Sequence, residues 1–450
     1  MSDLPPGWAE ASLNLLGRWC GGGTPSKRVP GFWLNGTLPW VSPKDMKSEV
    51  IHDSEDHITE AALRGSTTNL VEPGSVLIVT RSGILQHTLP VATTTRPLTI
   101  NQDLKALTPH QGLVTEYLAW ALRANAQRIL RDCSKEGTTV QSIETTQLLR
   151  FVLSIAPTAE QERIVAAIEE QFFRLDAGIA ALDAASAKAG TLSNAAMEAA
   201  VRSWDQVPLR ELLLSLRNGI FVSRPGTAPT RRAVLRISAV RPLKLDAADV
   251  RFVPESTTLR NEDAFRIEAG NLLFTRYNGN ADLVGRCAVV GAEAAGLLYP
   301  DKLIRAVVNR SRAMPDYLEI ALNCGPSLRA IAQLRKTTAG QVGIAGAQLL
   351  DVPVPLPSLE DQERIVARTR IVLDASRELR LEMARARRRC AGLRSATLAA
   401  AFSGKLVPHD PNDEPASVLL ERIARRRMSS NGHNTTRARK QRTTGRKVLA

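Results

Sequence analysis

The stretch Glu160-Gln-Glu-Arg-Ile-Val165 returns almost unchanged as Asp361-Gln-Glu-Arg-Ile-Val366. Residue 361 lies 201 positions after 160, and the offset holds around this core without gaps. Ile143 falls on Ile344, Leu148 and Leu149 on Leu349 and Leu350, Leu192 on Leu393, and Ala200 on Ala401. The front ends also match: Gly7-Trp8, Leu13 and Leu16 align with Ser203-Trp204, Leu209 and Leu212. Gly74-Ser-Val-Leu-Ile-Val-Thr80-Arg81 aligns with Gly270-Asn-Leu-Leu-Phe-Thr275-Arg276, one residue shorter. A repeat of this length is a duplicated domain, far longer than a solenoid unit.

Each copy has two parts. The first, over 1–155 and again over 204–356, mixes short apolar runs with Gly, Pro, Thr and Asn punctuation. Such patterning predicts compact domains rich in strands and loops, with helices over Thr115–Arg131 and Asp316–Leu334. The second part predicts one long helix per copy, over 156–203 and 357–403. Ile164, Ile168, Phe172, Leu175, Ile179 and Leu182 step by three and four, a coiled-coil-like stripe. Val372, Leu379, Met383, Leu393 and Leu398 are the apolar points of the second helix. Some 40 residues of helix make a rod of roughly 60 Å.

The two rods differ in charge. Residues 160–203 hold seven acids and four bases, and residues 361–403 hold five acids and ten bases. Opposite net charge favours pairing with each other over each helix lying on its own domain. An antiparallel pair would carry one globular domain at each end. The fold class expected is α+β: two pseudo-repeated domains of mixed α/β structure separated by two long helices in an antiparallel coiled coil.

Composition narrows the function classes. The chain has 450 residues, 44% apolar and 23% charged, enough for several cored domains. No apolar run approaches the roughly 18 residues of a membrane span, and the start, MSDLPPGW, lacks a signal-peptide pattern. The five cysteines are far apart with no CxxC pair, which fits a reducing cytoplasm. The net charge is +14, and nine basic residues without an acid lie between Arg425 and Ala450. A disordered basic tail is expected over 428–450, behind a C-terminal segment over 404–427.

The motifs and their order resemble the specificity subunit of type I restriction–modification systems. The resemblance is carried by Pro39-Trp-Val-Ser-Pro-Lys-Asp-Met46, Gly137-Thr-Thr-Val-Gln-Ser-Ile143, the two repeated hexapeptides, Leu393-Arg-Ser-Ala-Thr-Leu-Ala-Ala-Ala-Phe-Ser-Gly-Lys-Leu406 and Pro411-Asn-Asp-Glu-Pro-Ala-Ser417. It covers residues 1 to about 427. In the second copy Thr338-Ala339-Gly340 stands where the first has Gly-Thr-Thr. The resemblance implies two target-recognition domains, each reading one half of an asymmetric bipartite site on double-stranded DNA. It implies that the paired helices set the gap and dock two methyltransferase subunits, which restriction/translocase subunits join. It places no cofactor in this chain, with S-adenosylmethionine, ATP and Mg2+ in partner subunits, and no membrane role. A non-sequence-specific coiled-coil scaffold with a basic tail is the rival reading. A stand-alone modification enzyme is a second, opposed by the lack of an Asn-Pro-Pro-Tyr or Asp-Pro-Pro-Tyr motif.

No catalytic or metal residues are assigned. The run His52, Asp53, Ser54, Glu55, Asp56 and His57 reads as a solvated acidic loop, because six adjacent residues cannot converge on one ion. DNA readout needs Arg, Lys, Asn or Gln at groove edges and Ser, Thr, Lys or Arg at phosphates. In the first copy the candidates are Lys27, Arg28, Ser42, Lys44, Arg81, Ser82, Gln86, Arg96 and Gln102. In the second they are Arg224, Arg231, Arg232, Arg276, Asn278, Asn280, Lys302 and Arg305. Arg81 and Arg276 end the same strand-like run, and Trp40 and Tyr277 are aromatic candidates. For the coiled coil and subunit interface the candidates are Gln161, Arg163, Ile164, Ile168, Phe172, Leu175, Ile179, Leu182, Gln362, Arg364, Ile365, Met383 and Leu393.

Overall fold

A computed structural model describes residues 4–135, 140–223, 225–338 and 341–429. The Gly-Thr-Thr at 137–139, residues 339–340 of its counterpart, Arg224 and the residues from 430 onward lie outside the described residues. The chain divides into two compact units, residues 1–180 with 387–450, and residues 181–386. Each unit therefore takes part of each long helix.

In the first unit a five-stranded sheet is built around Val76–Val79 and Leu104–Pro109. Val76–Val79 is buried at every position and pairs on both sides, as its unbroken β-branched and apolar run dictates. A four-stranded sheet runs through Leu38–Val41 and Leu98–Ile100, and Ala9–Ser12 pairs antiparallel with Val152–Ile155. The second unit repeats the plan. Leu272–Thr275, again buried throughout, is central to a four-stranded sheet with Leu303–Val308 and Cys287–Val289. Gln206–Pro208 pairs with Pro353–Pro355, as the first strand of the other unit pairs with its last.

The two long helices are Thr158–Val201 and Leu359–Phe402, 44 residues each, about 66 Å at 1.5 Å per residue. Ser358 caps the second through the Asp361 amide, 3.1 Å away. Gly404 ends it in the left-handed region, with the Lys405 amide donating back to the Ala400 carbonyl. Arg394 stacks 4.5 Å over Phe172 and pairs with Asp176 in the first unit, and Ser376 Oγ donates to the Ala189 carbonyl at 3.1 Å in the second. Numbers rise on one helix as they fall on the other, so the helices run antiparallel. Among the described residues no helix is long and apolar enough to cross a membrane.

Two expectations need correction. Leu379 and Leu393 do not face inward; they are 45% and 54% exposed. The buried positions of the second helix include Thr369, Ser376 and Met383, with Cys390 and Arg394 half-buried. The hydroxyl of Ser376 meets the Ala189 carbonyl there, so a stripe of large apolar residues alone misplaces the face. The expected helices Thr115–Arg131 and Asp316–Leu334 are also each two helices, Thr115–Ala124 with Ala126–Cys133, and Pro315–Leu322 with Gly325–Gln333. An asparagine breaks each. Asn125 Nδ2 donates to the Ala121 carbonyl and Asn323 Nδ2 to that of Glu319, competing with the next helical turn. Gly325, at φ +56°, completes the second break.

The repeated glutamine fastens each long helix to its own domain. Gln161 is fully buried; its Oε1 accepts from the Val114 amide at 3.0 Å and its Nε2 donates to the Ala156 carbonyl at 2.8 Å. Gln362 repeats this with the Met314 amide at 2.8 Å and the Pro357 carbonyl at 3.0 Å. Tyr117 Oη donates to the Ser154 carbonyl and Tyr317 Oη to that of Pro355. The segment after Gly404 returns to the first unit. Ala416, Leu419, Leu420 and Ile423 are buried in its core, and the Ala416 amide donates to the Gly7 carbonyl.

Gln161→Ala and Gln362→Ala each leave a half-buried amide N–H, of Val114 or Met314, without its acceptor, and each is expected to cost about 1–3 kcal/mol in urea unfolding. A second prediction concerns Glu319. Burial raises its carboxyl to about 7, against the Val289 amide that donates to it and the nearby Arg370, while Asp316 pushes the same way as burial. The unfolded chain loses this proton at lower pH, so stability is full below about pH 4.5 and falls as pH rises through about 7. Glu319→Gln should raise the thermal midpoint at pH 8, by at most roughly 3 kcal/mol in stability, and leave it unchanged near pH 4.5.

Candidate nucleic-acid interface

Both units carry a cleft beside the end of their central strand, framed by the same backbone hydrogen bonds. In the first unit the Thr80 amide donates to the Asp103 carbonyl at 2.7 Å, and the Ile143 amide to the Thr80 carbonyl at 2.7 Å. In the second the Arg276 amide donates to the Lys302 carbonyl at 2.8 Å, and the Ile344 amide to the Arg276 carbonyl at 3.0 Å. This frame equates Arg276 with Thr80 and places Tyr277 where Arg81 stands, a correction to the pairing of Arg81 with Arg276. The one-residue slip between the two runs accounts for it.

A glycine makes the frame tight in both units. A Cβ on Gly22 would lie 1.9 Å from the Ile100 carbonyl oxygen, and one on Gly219 would lie 2.1 Å from that of Pro300. Only glycine lets the following loop cross the neighbouring strand this closely.

The first cleft, of about 630 Å³, is lined by Arg81, Gln102, Lys105 and Lys135, with Glu144 as its acid. Ser142 bridges to Arg81 along the backbone. Gln102 Oε1 accepts from Thr24 Oγ1. The second cleft, of about 530 Å³, is lined by Arg236, Arg241, Arg251 and Lys302, with Tyr277, Asn278, Phe221 and Asp301. Tyr277 has the Arg276 guanidinium 4.8 Å from its ring centre and the Lys302 ammonium at 5.2 Å. Arg236 pairs with Asp249 at 3.2 Å. Excess positive charge in a walled concavity draws in a polyanion.

The structure brings together Arg81 and Gln102 in the first cleft, and Asn278 and Lys302 in the second, of the residues singled out from the sequence. Others serve the fold. Ser42 is buried and bonds Asp45, and Lys44 is paired with Glu55 and Asp56. Arg232 donates to the Thr257 and Pro254 carbonyls and Arg305 to that of Arg266. Ser82, Asn278 and Asn280 accept from the backbone amides of Ile84, Asn280 and Asp282 respectively. Lys27, Arg28, Arg96 and Arg231 lie exposed on loops, and Gln86 is exposed at the end of a short 3-10 turn. Trp40 is buried, donating to the Gly23 carbonyl and meeting Trp33 edge-on. His57 pairs with Asp53 and His52 with Thr95; among the described residues no cluster has the makings of a metal site.

Of the coiled-coil candidates, Gln161, Gln362, Ile164, Ile168, Phe172 and Met383 are buried, and Leu175, Ile179, Leu182 and Ile365 half-buried. Arg163 pairs with Asp413 at 2.7 Å and Arg364 with Asp361. Leu192 and Leu393, 201 residues apart, are both exposed. The sequence reading missed Lys105, Lys135, Arg241, Arg251 and Phe221. Lys105 was legible: it is the one charged residue in Leu104–Pro109, on the side opposite the buried Leu104 and Ala106.

Known proteins resemble this chain in sequence and fold. The family model described as type I restriction modification DNA specificity domain matches residues 5–179. The specificity subunit of the Escherichia coli type I restriction enzyme EcoR124I/EcoR124II is 42% identical over 159 residues, 35% of this chain and 39% of that protein. The EcoKI specificity subunit of Escherichia coli K12 is 25% identical over an alignment covering 96% of this chain and 98% of that one. A chain solved for the complex assembly and conformational transition of the type I R-M system matches with TM-score 0.68 at 17% identity, over 90% of this chain and 100% of its own. The HsdS subunit of Thermoanaerobacter tengcongensis matches with TM-score 0.54 at 17% identity, over 90% and 98%. Residues 5–179 thus match the type I restriction modification DNA specificity domain, and the duplicated domains and two 44-residue helices carry the likeness to such specificity subunits along the rest of the chain.

Proposed function

We propose that this chain is the non-catalytic recognition subunit of a type I restriction–modification complex, and that each unit reads one half of a split DNA site. The observation that carries this is the pair of basic clefts, held by one backbone frame and lined by different side chains. One frame fixes how DNA is approached, and different linings make the two half-sites differ. Phosphate contacts fall to the lysines and arginines, and base contacts to Arg81, Gln102, Asn278 and the other groups at the cleft floors.

In this reading the long helices set the gap between half-sites. Two methyltransferase subunits dock on this chain, with Leu192 and Leu393 as equivalent apolar contacts for two copies of one partner. Restriction/translocase subunits join that core in the cytoplasm, and S-adenosylmethionine, ATP and Mg2+ belong to the partners. A sequence-blind scaffold has no use for two framed clefts with unlike linings.

The deciding experiment is a methylome of an unmethylated host expressing this chain with its methyltransferase partner. The expected result is an asymmetric motif of two short specified halves around a fixed unspecified gap, lost when this chain is omitted. A stable complex that leaves no new motif overturns the proposal. Within such a complex Lys105→Ala should weaken binding by a similar factor on all DNA sequences and reduce the salt slope by about one. A change in the motif instead would move Lys105 from phosphate to base contact.

A further inference from the structure

The two glycine-framed loops differ most at their tips. In the first unit the residue two positions after Gly22 is Thr24, whose hydroxyl is tied to Gln102. In the second unit the residue two positions after Gly219 is Phe221. Phe221 is 73% exposed and lines the cleft that holds Arg236, Arg241, Arg251 and Lys302. Its neighbours on either side face inward: Ile220 is buried, with its amide on the Tyr299 carbonyl, and Val222 packs with the buried Val234, Val253 and Leu298. The backbone around Phe221 is therefore anchored, and its ring is held out in water by its place in the alternation.

A fixed, solvated phenyl ring contributes nothing to the fold. Burying it in the sheet would have been favourable, and exposing it invites association. Its surroundings exclude an ordinary apolar partner, because the lining beside it carries four cations and one acid. A surface that presents an apolar ring among guanidinium and ammonium groups suits a ligand that is anionic outside and apolar inside. Duplex DNA has that construction, with phosphates flanking stacked bases and thymine methyl groups.

We infer that Phe221 is a base-contacting specificity residue of the second unit, placing its ring against a thymine methyl or a base face in that unit's half-site. This rests on the recognition role proposed above. Arg251 and Lys302, whose side chains make no hydrogen bond or ion pair among the described residues, hold the adjoining phosphates. Thr24 at the matching place in the first unit makes a polar contact there, so the ring has its effect in one half-site only.

The test uses the full complex with this chain as wild type, Phe221→Ala, Phe221→Trp or Leu214→Ala. Leu214 is an equally exposed apolar residue of the same unit outside the cleft, at 68%. Methylomes define the motif, and duplexes carrying the wild-type motif then serve as binding probes. Phe221→Ala is expected to relax specification in one half-site, leave the other intact and lower affinity about tenfold or more. Phe221→Trp should restore most of both, and Leu214→Ala should match wild type. Replacing thymines of the affected half by uracil separates the two contacts: lower wild-type affinity places the ring on a methyl group, and unchanged affinity on a base face. A Phe221→Ala motif identical to wild type, or one degraded equally in both halves, overturns the inference. A wild-type complex that writes no bipartite motif fails earlier, at the recognition role itself.

Discussion

The buried amide of Gln161, repeated in Gln362, is the contact on which the arrangement depends. Each glutamine sits in the first turn of a 44-residue helix and joins it to two separate segments of the same domain. A hydrophobic contact there would hold the helix but let it rotate or slide. An amide with one acceptor and two donors, fully enclosed, fixes both position and rotation, because every alternative leaves a buried polar group without a partner. Fixing the first turn fixes where, and at what rotation, the helix leaves its own domain.

The tyrosines reinforce this. Tyr117 and Tyr317 are fully buried, and their hydroxyls reach the strands that lead into the long helices. Burial drives both phenols well above their ordinary range, so they remain neutral donors at any physiological pH. The helix, the strand before it and the short helix carrying the tyrosine thus form one joint, built twice. The C-terminal segment adds a further tie in the first unit, where Arg163 meets Asp413 and Leu419 packs against Gly112.

Much of this was legible in the sequence, for a physical reason. A duplicated domain shows its structural joints as repeated motifs, and the hexapeptide around Gln161 and Gln362 is such a joint. The long helices followed from apolar periodicity, and both strand runs Val76–Val79 and Leu272–Thr275 stood out as unbroken apolar stretches. What escaped depended on atoms that pattern does not register. The breaks at Asn125 and Asn323 come from side-chain amides bonding back to the preceding turn. The inner face of the second long helix is made of Ser376, Thr369 and Met383, and its large leucines at 379 and 393 point away. The role of Arg276 could not be read from its place after a strand, since one residue of slippage gives its neighbour Tyr277 the place in the cleft.

The cleft linings show why part of the site resists such reading. The frame is made by backbone amides and carbonyls, by Thr80 with Ile143 and by Arg276 with Ile344, together with two glycines that admit close approach. None of those bonds specifies the side chains that project between them. The same frame accepts Arg81 or Tyr277, Thr24 or Phe221, Asp103 or Lys302, at little cost to folding, because each of these residues projects beside the frame and not into the core. The frame thus rests on backbone atoms, and the character of each cleft on the side chains that project beside it. A fold of this kind can keep its joints while its cleft linings change, and a sequence that declares its joints plainly leaves those linings nearly unmarked.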